Sequence, residues 1–229
     1  MLPADLRTAE AEALEALQAA LAAGSAGRWT VEFRFEGLRL LPVVLRLLEG
    51  LLAERSELRL LFPDAGATAL ARRDAPALAD RIGSFSDQRR LQQEAPSAGE
   101  LLLVGASQAE YELVEAVCGG HTGTVVLLNP SLEDAAIGIG SVARQRRKGF
   151  LAGWRAAYAL LPQAESALRC AYPGEWELYR LDPDGYRLAG RFEQKPDAEQ
   201  QDLALSGREQ AGLGSNLRAL GQMIEDLQN

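Results

Sequence analysis

The 229-residue chain predicts an α/β fold: a three-layer, Rossmann-like sheet, mostly parallel in its first half and extended by antiparallel strands in its second. Three observations predict it. Segments of strand and helix period alternate from Asp5 to Leu128, which calls for a parallel sheet with helices on its faces. Two of the strand segments, Leu101–Val104 and Thr124–Leu128, are continuous apolar runs, the pattern of strands buried on both faces. After Trp154 the pattern becomes short strands and turns, which favours antiparallel pairing at one edge of the sheet.

Each element has a local reason. Asp5 to Ala23 carries Leu6, Ala9, Ala13, Leu14, Leu17 and Leu21 on one helical stripe, and Gly24 stops it. Trp29 to Phe35 alternates Trp29, Val31, Phe33 and Phe35 with Thr30, Glu32 and Arg34, a half-buried strand. Leu38 to Ala53 is the next helix, with Pro42 in its first turns, where proline costs little. Glu57 to Phe62 is a strand closed by Pro63, and Ala65 to Arg73 is helical. The polar stretch Arg72 to Gly99 predicts loops and short helices. Gln108 to Cys118 is a helix ended by Gly119-Gly120, and Ser141 to Trp154 reads as another. Leu168–Tyr172, Trp176–Leu181 and Tyr186–Phe192 are short strands, with Asp182-Pro-Asp-Gly185 as the turn between the last two. Residues 1–192 form one α/β domain in this reading. Residues 193–229 form a polar, acidic tail with one further helix at Ser215–Leu227.

Composition excludes several classes. The chain is 47% hydrophobic and 24% charged, a globular balance. No apolar run reaches the roughly 20 residues of a membrane span. The 24 basic and 32 acidic residues leave a net charge of −8, which argues against sequence-independent nucleic-acid binding. Two cysteines and one histidine are too few for a structural zinc site, and no metal or cofactor is expected. Cys118 and Cys170 read as small buried hydrophobes. The start MLPADLRTAE has neither an apolar h-region nor a transit pattern. The expected location is the cytosol, or a membrane face reached from it.

Ligands in such sheets bind at the carboxyl ends of the strands. That rim carries Asp64, Ser107 and Asn129, each just after a strand. Asp64 and Ser107 suit helix N-caps equally well, and Asn129-Pro is an ordinary turn opening. A second feature is Ile137-Gly-Ile-Gly-Ser141, which opens a basic segment. Bare N–H groups at Gly138, Gly140 and Ser141, with Arg144 near them, suit an anion. The alternative is a flexible turn before a solvated basic face. Arg144, Arg146, Arg147, Lys148 and Arg155 lie in a stretch, Ala135 to Ala164, that contains no acid. They suit an acidic partner or an anionic membrane surface. His121 reads as an exposed turn residue in a loop before a strand, and no nucleophile elbow, zinc-protease or deaminase pattern occurs. Trp154, Tyr158, Tyr172 and Trp176 read as core of the antiparallel half, with an aromatic contact surface as the alternative.

Several segments follow one another in a familiar order: Phe62-Pro-Asp-Ala-Gly-Ala-Thr-Ala-Leu-Ala-Arg72, Leu127-Leu-Asn-Pro-Ser-Leu-Glu-Asp134, Gly138-Ile-Gly140 with Arg144, Arg147 and Phe150, Tyr158 with Pro162, and Arg169-Cys-Ala-Tyr-Pro-Gly-Glu-Trp176. Over Leu2 to Phe192 the chain resembles the uncharacterised domain shared by cyanobacterial proteins and the plastid low-photosystem-II-accumulation assembly factors. A similar domain is appended to a plastid adenylate kinase. The resemblance implies a non-catalytic protein of the cytoplasmic side, acting in photosystem II assembly at the thylakoid surface and binding assembly intermediates. It carries over no catalytic residues. The expected function is therefore an interaction protein. The alternative is a binder of, or enzyme on, a phosphate- or nucleotide-type ligand at the strand ends.

Overall fold

The computed structural model describes residues 1–24, 26–132 and 149–206. Nine strands form one sheet, with β1 (Arg28–Phe33), β2 (Arg59–Phe62), β3 (Ile82–Ser84), β4 (Glu100–Val104), β5 (Thr124–Leu128), β6 (Arg155–Pro162), β7 (Ser166–Ala171), β8 (Trp176–Asp182) and β9 (Gly185–Phe192) in the order β3-β2-β4-β5-β1-β6-β7-β8-β9. The first six in that order are parallel. From β6 to β9 the pairing is antiparallel. Helices α1 (Leu6–Ala22), α2 (Leu40–Leu52), α3 (Ala65–Asp74), α4 (Phe85–Glu94), α5 (Tyr111–Gly119) and α6 (Ala198–Leu205) cover both faces. The predicted fold class is therefore the observed one.

The two-residue period of the strands sorts the core. Leu60, Leu102, Val104, Val126 and Leu128 pack with α1, α2 and α3. Their neighbours Leu61, Leu101, Leu103, Val125 and Leu127 point the other way, onto α5, Phe85 of α4 and Phe150. Each fully buried leucine contributes about 1.5–3 kcal/mol. A third, smaller cluster joins Leu161, Leu168, Cys170, Trp176 and Leu178 to Phe192 and the end of α6.

Helix starts follow local capping chemistry. The Asp5 carboxylate accepts from Thr8 N at 2.8 Å and from Thr8 Oγ1 at 2.9 Å. Ser84 and Asp87 close a capping box on α4. The tight Asp182-Pro-Asp-Gly turn joins β8 to β9, with Gly185 at φ 127.

Three elements depart from the expectations. The stretch Arg72–Gly99 holds an edge strand, β3, beside the expected short helix α4, and α6 stands in the tail, where a helix was expected at Ser215–Leu227. The most consequential departure is β6, which no strand was expected to occupy. It is alanine-rich, and alanine is a weak strand former. Burial on both sides holds it as a strand all the same. It pairs parallel with β1 and antiparallel with β7, so it is where the sheet changes direction. The expected helix at Ser215–Leu227 and most of that at Ser141–Trp154 lie outside the described residues, with 149–152 helical. The four late aromatics divide among clusters. Tyr158 stacks near Phe33 at 5.3 Å, Tyr172 meets Trp29 at 4.8 Å, Trp154 meets Phe150 at 5.6 Å, and Trp176 joins the third cluster.

His121 is not the exposed turn residue expected but a buried one, at the amino ends of β4 and β5. It is 3% exposed. Nε2 faces the Gly99 carbonyl at 3.2 Å and so carries the proton, which leaves Nδ1 to accept from Ser97 Oγ at 2.8 Å. Burial holds its pKa below the usual histidine value. The unfolded chain therefore takes up a proton near pH ~6.5 that the folded chain refuses. That contribution to stability is complete above this value and is lost as pH falls toward the folded pKa. Thermal midpoints measured across this range fall with acidity in the parent, and His121→Gln flattens the slope. An equal slope in both proteins would contradict the assignment.

Candidate functional site

The carboxyl ends of β1 and β6 are neighbours whose chains diverge. After β1 the backbone turns through residues 34–39 into α2, and after β6 it turns back into β7. Diverging connections at strand ends leave room for ligands. Two cavities open here, one on each face, and Pro162 borders both.

The larger cavity is about 650 Å³ and mostly apolar, lined by Leu2, Leu6, Phe35, Leu38, Val43, Leu160 and Tyr186. Arg39, Arg46, Asp5 and Glu36 also line it. Arg46 is held by Glu10, with Nε 2.7 Å from Oε2, and Asp5 caps α1. Leu181, Tyr186 and Leu188 are each more than 40% exposed. Register places them together: Tyr186 pairs with Leu181, and Leu188 pairs with Tyr179 two residues along. The cavity thus continues into an apolar strip on β8 and β9.

The smaller cavity is about 300 Å³ and of mixed character, with Glu32, Arg34, Ser131 and Lys195 beside Pro130, Leu161 and Pro162. Strand alternation separates the two cavities chemically. Phe35 and Leu160 face the first, while Arg34 and Leu161 face the second. Glu32 is 8% exposed. Its Oε2 accepts from Arg34 Nε at 3.2 Å and Nη2 at 3.0 Å. Arg34 Nη2 also donates to the Pro130 carbonyl.

The rim residues singled out from sequence have structural partners. Asp64 Oδ1 accepts from Ala67 N at 2.8 Å and caps α3. Ser107 forms a capping box with Glu110, whose Oε2 accepts from Ser107 N at 2.9 Å. Asp64 follows β2 and lines neither cavity, and Ser107 follows β4, where it bridges to Ser131 of the smaller cavity's wall. Asn129 stands between β5 and β1. Its Oδ1 accepts from Phe33 N at 2.7 Å and its Nδ2 donates to Phe33 O at 2.8 Å. It thereby continues the ladder past the last strand pair, at a backbone φ of 48. Gly138, Gly140, Ser141, Arg144, Arg146, Arg147 and Lys148 lie outside the described residues. Arg155 opens β6, at the opposite end of the sheet from the cavities, with its guanidinium 4.0 Å over the Trp29 ring.

Nucleophile chemistry finds little support in the cysteines. Both thiols are free and buried. Burial pushes Cys118 up to about 12 and Cys170 up to about 11, so neither is a thiolate at neutral pH. A half-buried charged cluster joins α1 to the sheet. Arg169 donates from Nη2 to Glu12 at 3.0 Å and from Nη1 to Glu177 at 3.0 Å. Tyr179 adds a 2.7 Å bond to Glu177. Burial raises the Tyr179 pKa to about 12, and the Glu177 carboxylate adds to that rise.

Sequence reading did not find the cavity residues. Arg34 and Lys195 offer no motif, and their meeting depends on β6 inserting beside β1. The one available signal was a charged residue at the very end of an alternating strand.

No helix among the described residues is long and apolar enough to cross a membrane. No curated protein matches the chain in sequence. A family model described as a domain of unknown function, DUF1995, matches residues 3–203. That span runs through all nine strands and most of α6, so this chain belongs to the DUF1995 family.

Proposed function

We propose that this protein is a non-catalytic interaction protein that seats an apolar segment of a protein partner. The observation that carries the reading is the continuous apolar surface formed by the 650 Å³ groove and the exposed Leu181, Tyr186 and Leu188. Exposed contiguous apolar surface of this kind marks interaction sites. The polar residues at the strand ends support it as well, because Asp64, Ser107 and Asn129 use their side chains in caps and a backbone clamp.

The resemblance to the low-photosystem-II-accumulation factors supplies the finer reading. The partners are photosystem II assembly intermediates, met at the cytoplasmic face of the thylakoid membrane. Contact with that membrane is peripheral.

The test is capture from thylakoid-containing lysate with the parent and with Tyr186→Asp/Leu188→Asp. Both residues are exposed, so their replacement shifts stability by only about 0.5 kcal/mol each. The parent retains photosystem II subunits, and the double variant loses most of them. Equal capture by both proteins would overturn the apolar-surface reading. A parent that retains no photosystem subunit would overturn the assembly role.

A further inference from the structure

We infer that residues 213–227 of this same chain lie along the apolar groove and strip as a tethered competitor for the partner's segment, an inference that rests on the partner reading above. Three observations lead there. First, one face of the β8–β9 hairpin is covered and the other is bare. Trp176, Leu178 and Phe192 pack with Ala204 and Leu205 of α6. On the opposite face α1 packs on β1, β6 and β7. Beyond it Leu181, Tyr186 and Leu188 are 45%, 42% and 45% exposed. Second, the described chain leaves α6 beside that bare strip. Arg180 Nη1 donates to the Leu205 carbonyl at 3.4 Å, and Arg180 is the neighbour of Leu181 in β8. Since β9 is the outermost strand, only the rim of the sheet separates the end of α6 from the strip. Six residues, 207–212, can reach about 20 Å, and packed layers lie about 10 Å apart.

Third, the sequence beyond Ser206, which lies outside the described residues, carries a matching apolar stripe. Leu213, Leu217, Leu220, Ile224 and Leu227 recur at alternating spacings of four and three, with Arg218, Gln222, Glu225 and Asp226 between them. That is one apolar face at helical period, and such a face is buried against something. At 1.5 Å per residue the stripe spans about 21 Å, within the roughly 26 Å of an eight-residue strand such as β9. An amphipathic segment laid into an apolar groove is a recurrent mode of recognition. A short flexible tether holds its segment at an effective concentration of roughly millimolar. A free partner at lower concentration therefore meets a seat already filled, and must displace the tail to bind.

Photo-cross-linking of the purified full chain tests this. Tyr186→p-benzoylphenylalanine places the probe in the strip. Leu70→p-benzoylphenylalanine places it at an equally exposed position on α3, beside β2 and β3 at the far edge of the sheet. Mixing isotopically light and heavy chains separates bonds within a chain from bonds between chains. The expected product joins position 186 to a residue within 213–227 of the same chain, and the Leu70 probe forms none. Leu220→Asp/Ile224→Asp abolishes that product and raises the binding of an apolar fluorescent dye, anilinonaphthalene sulfonate, several-fold. No product between position 186 and 213–227, or equal product from the Leu70 probe, would overturn the inference. Product found only between light and heavy chains would overturn it in favour of a second copy, and an unchanged dye signal in the tail variant would also overturn it. The purified chain carries no partner, so failure of this test and failure of the lysate capture are separable.

Discussion

Arg169→Leu is expected to destabilise the fold by about 2–3 kcal/mol, because it leaves the half-buried Glu12 without its cation and Glu177 with Arg191 alone, at 3.4 Å. The choice between this figure and the ~0–1 kcal/mol of a surface pair rests on burial. The side chains of Arg169, Glu12 and Glu177 are 18%, 26% and 14% exposed. Burial by itself would lower the arginine pKa, but the bonds to Glu12 and Glu177 outweigh it and raise the value. For Glu177, burial pushes the pKa up, while Tyr179 and Arg169 prevail and hold it below the usual carboxylate range. The cluster ties α1, through Glu12, to β7 and β8. A chain of this size loses roughly 2–4 °C of midpoint per kcal/mol, so the variant melts roughly 4–12 °C lower. Replacing all three residues, as Glu12→Gln/Arg169→Met/Glu177→Gln, is expected to recover much of that loss. A single variant that melts within a degree or two of the parent would show that the cluster does not hold α1 in place.

The second large effect lies at Asn129. Asn129→Ala removes both bonds to the Phe33 backbone. Phe33 is 1% exposed, so water does not replace them. An unsatisfied buried backbone group costs about 1–3 kcal/mol. Alanine also pays about 1 kcal/mol more than asparagine or glycine for the left-handed backbone, here at φ 48. The expected loss is about 2–4 kcal/mol by denaturant unfolding. Asn129→Gly recovers only the backbone part, about 1 kcal/mol. Because Pro130 and Ser131 follow directly, the alanine variant also loosens the wall of the smaller cavity. A parent-like Asn129→Ala would show that the clamp is dispensable and return Asn129 to the group of possible ligand contacts.

Much of the first half was legible in the sequence because its causes are local. The Asp5 cap and the α1 stripe are set by residues three and four apart. The Leu101–Val104 and Thr124–Leu128 runs name central parallel strands without reference to any partner. The Asp182-Pro-Asp-Gly turn writes its own hairpin. Asp64 and Ser107 were legible as caps for the same reason. Asn129 was visible as a residue after a strand, but its role was not. Its partner is Phe33, 96 residues away. The strand β6 was hidden because its alanines carry little intrinsic preference. Only packing between β1 and β7 makes it a strand.

The sequence by itself determined the fold class, the start of most helices and which side of each strand is apolar. These depend on periodicity and on hydrogen bonds closed within a few residues. The tertiary structure decided where β6 enters, and with it the place where parallel pairing gives way to antiparallel. That single insertion sets the two cavities back to back. It brings Phe35, Leu160 and Tyr186 to one and Arg34, Ser131 and Lys195 to the other. Register between strands distant in the chain is fixed by the whole core rather than by any local run of residues, so no local reading could have assembled either site.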